Sequence, residues 1–177
     1  MRLEDRTVDI GLRLALGAVF ASLTCVATII FTIPIPATSG YFNLGETVIY
    51  VSALLFGSLV GSISGGVGAA IADMIIAPQF ALGTLVTKSC EGVIVGFLYR
   101  KASARIGESL AAALAVIVGG LEMVLGYFLY EQLVLSYPLL DALAEVPLNL
   151  VQMCVGLAVA VPATRIILRA FPQIKNW

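Results

Sequence analysis

The sequence predicts an all-α integral membrane protein of six transmembrane helices with both termini cytoplasmic, on three observations. Mean hydropathy is +1.03, and 60% of the 177 residues are hydrophobic against 12% charged, far from the balance of a water-soluble domain. Apolar runs long enough to cross a hydrocarbon core of about 30 Å recur along the chain. Lys and Arg gather in segments that a six-span path places on one side of the bilayer.

The first span is read over residues 10–33. Its apolar run, Leu14 to Ile33, lacks a small-residue cleavage site and is followed by further spans, so it is a retained helix and not a signal peptide. Residues 44–77 would reach roughly 50 Å as one straight helix, too long for a single crossing. Two short spans, 44–58 and 61–77, broken near FGSLVGS, are predicted instead, followed by spans over 82–100, 108–131 and 143–168. On this path Arg2, Arg6, Arg13, Arg100, Lys101, Arg105, Arg165, Arg169 and Lys175 all face the cytoplasm, whereas five spans would expel RKASAR. Lys88 alone is left within the membrane. Gly57, Gly61, Gly65 and Ala69, with Gly66, Gly68 and Ala72 beside them, form small-xxx-small rows that allow close helix packing. Residues 1–177 are read as a single membrane domain.

Composition also excludes. There is no His, which removes the commonest general base and transition-metal ligand, and no metal-ligand cluster or nucleophile–base pair is visible, so neither an enzyme nor a cofactor is expected. Cys25, Cys90 and Cys154 are far apart and read as packing residues. A net charge of −1 gives no reason to expect nucleic acid. GTLVTKS, Gly83 to Ser89, is faintly similar to a phosphate-binding loop, but Thr87 precedes the Lys where the motif has Gly.

The ionisable residues inside the spans are costly there and need a partner or a role. Along the predicted path, Glu46, Asp73, Lys88, Glu91, Glu122 and Glu145 all fall in the outer half, while the inner half is almost purely apolar. Thr84, Thr87, Lys88 and Glu91 share one helical stripe; Glu145, Asn149 and Gln152 share another; Gly119, Glu122 and Gly126 a third. Polar stripes at one level predict a pocket open to the exterior and argue against a channel. Lys88 either meets a ligand or pairs with Asp73 or Glu91. Glu46 caps the second helix or touches the ligand, capping ranking first.

In this order, GYFNLGETVIYVSALLFGSLVGSISGGVGAAIADMI and ALGTLVTKSCEGVIVGFLYRK, with the K-x-x-E-G of Lys88, Glu91 and Gly92, resemble the substrate-binding (S) components of energy-coupling factor (ECF) transporters. The resemblance covers nearly the whole chain. It implies a subunit of a prokaryotic plasma membrane that captures a vitamin or its precursor outside. It also implies docking on a membrane T subunit that carries two cytoplasmic ATPases, followed by release of the ligand inward. The family's A-x-x-x-A docking pattern in the first helix corresponds here to Gly17 and Ala21, or in a shifted register to Ala18 and Ser22. The family's covering loop corresponds to PIPATSGYFN, residues 34–43.

Tyr41, Asn43, Asp73, Thr84, Lys88, Glu91, Glu122, Asn149 and Gln152 are the expected ligand-binding residues. An acid-rich pocket rimmed by aromatics ranks a ring compound with amine or hydroxyl donors first: a thiamine precursor, pyridoxine or thiamine. Lys88 keeps carboxylate- or phosphate-bearing ligands open. The alternatives to this function are a self-sufficient ion-coupled secondary transporter, whose usual inverted repeat is not visible, and a membrane scaffold whose polar residues are helix glue.

Overall fold

The computed structural model describes the backbone over residues 3–35 and 38–176, with side chains over 10–35 and 38–174. Arg2, Pro36 and Ala37, and the side chains of Arg6 and Lys175, which the sequence reading used, lie outside the described residues. Helix α1, Leu3–Ile30, leads into a two-stranded antiparallel hairpin of β1, Ile33–Ile35, and β2, Gly40–Phe42. Next come α2, Gly45–Phe56; α3, Ser58–Ile76; α4, Pro78–Ile106; α5, Glu108–Leu133; and α6, Leu139–Ala170. A last 3-10 turn spans Pro172–Asn176. The helical class holds. The hairpin is an addition to the expected loop.

Five of these helices, α1 from Ile10 onward and α3 to α6, are long and apolar enough to cross a membrane. Helix α2, at 12 residues, reaches only about 18 Å and is too short to span the hydrocarbon core alone. The break foreseen near FGSLVGS falls at Gly57, whose φ of +85° is a conformation that side chains disfavour. Arg100 of α4 closes the helix end there, its Nη2 donating to the Phe56 carbonyl at 3.0 Å. Because α2 stops short and is topped by the hairpin, the bundle has room for a hollow beneath the hairpin.

Helix α3 carries a π-helical segment, Ile63–Val67, within its small-residue row. Where α3 crosses α4, Gly61 meets Gly92: a Cβ on Gly92 would stand 2.7 Å from the Ser62 amide nitrogen and closer still to Gly61. Backbone contact of this kind supplies the van der Waals attraction that helices need in lipid, where apolar burial gives no preference for a neighbouring helix. Away from the hairpin, Tyr50, Leu54, Val95, Ala112, Ala115, Val116 and Ala160 pack into a core. Leu114, Leu121 and Leu125 point outward from α5, as a lipid-facing surface requires.

Candidate functional site

Elements from the whole bundle line one cavity under the hairpin. Thr28 comes from α1, Gly40, Tyr41 and Asn43 from the hairpin and its exit, and Ile49 from α2. Ala69 and Asp73 belong to α3, Phe80, Thr84 and Lys88 to α4, Tyr127 to α5, and Glu145, Asn149 and Gln152 to α6. The cavity measures about 40 Å³, room for a few water molecules. A ring compound would need the roof or the side chains to give way.

The roof is tied to three helices by its own hydrogen bonds. Tyr41 Oη donates to Asp73 of α3, and Thr38 Oγ1 to Glu145 of α6. Gly40 N donates to Thr38 Oγ1 at 3.2 Å, and a Cβ on Gly40 would run into the Glu145 carboxylate. Asn43 N donates to Gln152 Oε1 at 2.9 Å, while Asn43 Oδ1 accepts from Gly45 N at 2.9 Å and from Thr28 Oγ1 at 3.5 Å. Burial and then the adjacent Asp73 carboxylate push the Tyr41 phenol well above its ordinary pKa, so it remains a donor at physiological pH.

Beneath lies a buried ionic cluster. Lys88 Nζ donates to Glu46 and, at 3.1 Å, to Glu91; the three side chains are 3%, 1% and 0% exposed. Tyr50 Oη donates to Glu91 Oε1 at 2.9 Å, and Gln152 Nε2 to Glu46 Oε2 at 3.1 Å. Gln152 therefore links floor to roof, its amide nitrogen on Glu46 and its oxygen on the Asn43 amide. Thr84 and Tyr127 share a hydroxyl–hydroxyl bond of 2.9 Å, and the Tyr127 ring lies 5.6 Å from Lys88 Nζ.

Of the nine residues expected at the site, Tyr41, Asn43, Asp73, Thr84, Lys88, Asn149 and Gln152 line the cavity. Glu91 sits below it in the ionic cluster. Glu122 is not among the lining residues; five positions before Tyr127, it is rotated about 140° around α5 from the residue that does face the hollow. Lys88 pairs with Glu91, as one reading allowed, and also with Glu46; Asp73 is held by Tyr41 instead. Glu46 is not a cap: its carboxylate turns inward to Lys88, and Asn43 Oδ1 takes the first α2 amide. Thr28, Gly40, Ile49, Ala69, Phe80, Tyr127 and Glu145 also line the cavity and were not among the nine, although Glu145 shares one stripe with Asn149 and Gln152. The Thr24 and Thr28 pair, one turn apart in the apolar C-terminal half of α1, was the available signal for Thr28.

On α1 the two small-residue registers separate. Gly17 and Ala21 are buried, a Cβ on Gly17 falling 2.9 Å from Ile63 Cδ1, and Ala21 facing Gly68 of α3. That pair serves internal packing and offers no outer docking face, which corrects the first alignment. Ala18 and Ser22 are exposed, the Ser22 hydroxyl donating to the Ala18 carbonyl at 2.9 Å.

A multi-helix membrane protein with a polar hollow roofed at one end belongs to the class that holds small solutes. The model of the family "ECF-type riboflavin transporter, S component" matches residues 12–169, and the chain belongs to that family. That family is one of transport components, not of enzymes. An uncharacterized protein in gap 3'region of Pyrococcus woesei is 50% identical over 102 residues, a match covering 58% of this chain and 66%, just under two thirds, of that protein. The thiamine precursor transporter HmpT of Lactococcus lactis subsp. cremoris is 29% identical over 150 residues, 84% of this chain and 82% of HmpT.

Proposed function

We propose that this chain captures a vitamin or vitamin precursor with high affinity from the external side, in the cavity under the hairpin. It then passes the ligand inward after docking on a membrane T subunit with two cytoplasmic ATPases. The path has six spans, α2 being the short one, with both termini cytoplasmic. The observation that carries this reading is the roof, a hairpin hydrogen-bonded to α1, α3 and α6 over a hollow lined from every helix. Arg13, Arg100, Lys101, Arg105, Arg165 and Arg169 lie toward the opposite end, so the positive-inside rule turns the hairpin outward. Riboflavin, from the family's description, and a thiamine precursor, from HmpT, are the first ligands to test.

Mass spectrometry of the small molecule that copurifies with the detergent-solubilised protein tests this directly. Asn149→Ala, which removes a polar group from the cavity wall, is expected to weaken binding of that molecule about tenfold or more while insertion is retained. Wild-type affinity in this variant would place the site elsewhere. For docking we propose the outward register on α1. Ala18→Leu is expected to leave ligand affinity unchanged and to prevent co-purification with the T subunit, because a branched side chain holds helix backbones apart.

A further inference from the structure

Resting on the capture reading, the geometry points to a ligand class. The site takes the unphosphorylated, uncharged or cationic form of a donor-rich ring compound and rejects analogues that carry a phosphate or carboxylate. Among the described residues Lys88 is the one basic group on the cavity wall, and its ammonium is already engaged by two buried carboxyl groups, Glu46 and Glu91. If it turned to an anionic ligand, it would leave Glu46 and Glu91 buried together without their cation, a worse arrangement than the one it left. Of the neutral donors, Gln152 bonds Glu46 through its amide nitrogen and Tyr41 bonds Asp73, while Asn149 turns a neutral amide, not a charge, to the hollow.

The other ionisable groups on the wall are acids. Asp73 and Glu145 line the hollow from α3 and α6, each engaged by one hydroxyl of the roof and each with acceptor capacity left over. Behind Glu145, and in contact with it, lies Glu131, 0% exposed; two buried carboxyls in contact share a proton, so the pair carries one negative charge. Oε1 of Glu46 lacks a hydrogen-bond donor. Carboxyl oxygens of Asp73 and Glu145 with acceptor capacity thus face the space from two helices, while Lys88 is closed off. Amine, amide and hydroxyl groups on a ring satisfy such a wall; a phosphate or carboxylate meets repulsion from both sides.

Matched pairs test the rule on ligand-stripped protein, by calorimetry or fluorescence. The pairs are riboflavin with flavin mononucleotide, the hydroxymethyl aminopyrimidine precursor of thiamine with its monophosphate, and pyridoxine with its phosphate. The acetate ester of each alcohol serves as an uncharged control for size. For whichever alcohol binds, its phosphate is expected to bind on the order of 100-fold more weakly and its acetate ester clearly better than the phosphate. A phosphate within tenfold of its alcohol, or an acetate as weak as the phosphate, overturns the charge rule and leaves the capture reading standing. Absence of binding by every compound overturns the capture reading and the rule with it. In Asp73→Asn and Glu145→Gln proteins the ratio of alcohol to phosphate affinity is expected to shrink; an unchanged ratio in both overturns the assignment to these two carboxylates.

Discussion

Replacing Lys88 by Met is expected to destabilise the protein by about 3–5 kcal/mol, the range typical for removing one partner of a buried ion pair. Glu46 and Glu91, at 1% and 0% exposure, would keep their burial and lose the cation between them. Tyr50 and Gln152 each donate one hydrogen bond to these carboxylates, which does not replace a full positive charge. In a thermal unfolding scan by circular dichroism or light scattering, the midpoint is expected to fall by roughly 10 °C. The triple variant Lys88→Met, Glu46→Gln, Glu91→Gln is expected to recover most of the loss. It removes all three charges together and still offers acceptors to Gln152 and Tyr50. If the single and triple variants unfold at the same temperature, Lys88 acts through packing and not through charge.

That cluster also shows what the sequence could and could not disclose. Spacing along one helix placed Lys88 and Glu91 on a common stripe, because three residues make nearly one turn, and the structure shows them bonded. Glu46 lies 42 positions away, and no periodicity within α2 records that it turns toward α4. Its place in the first turn suggested a cap; what draws it out of that role is Lys88 with Gln152, which hold the carboxylate turned into the bundle. The same limit explains α1. Two small-residue registers, offset by one position, look alike as strings. Only the neighbour that fills one of them, Ile63 and Gly68 of α3 against Gly17 and Ala21, decides which faces inward. Hydropathy and the glycine-marked break at Gly57 were legible because each acts on its own segment. The hairpin was legible only as a covering loop. Its three-residue strands are too short to carry a pattern, and its position depends on Asp73, Glu145 and Gln152 from distant helices.

Adding one methyl group at Gly92 is expected to cost nearly as much as losing the ion cluster. The new Cβ would meet the α3 backbone at Gly61 and Ser62, which no rotamer change can clear, so α3 and α4 must move apart. Overpacking costs about 1–3 kcal/mol where side chains can adjust and more where they cannot; Gly92→Ala belongs at the upper end. Gly11→Ala is the control. No atom lies within 4 Å of its added Cβ, and in the α1 interior Ala is favoured over Gly by about 0.5–1 kcal/mol, so that variant should unfold at or slightly above the wild-type temperature. The effect at Gly92 reaches the ligand cavity. Lys88 stands one turn above it on α4, and Asp73 faces the cavity from α3, so spreading the two helices widens the hollow between these groups. Gly92→Ala is therefore expected to lose ligand affinity as well as stability, whereas a defect confined to folding would leave the affinity of the surviving folded fraction intact. Measuring the dissociation constant on the monodisperse fraction separates the two, and unchanged affinity there would show that the α3–α4 spacing does not set the width of the site.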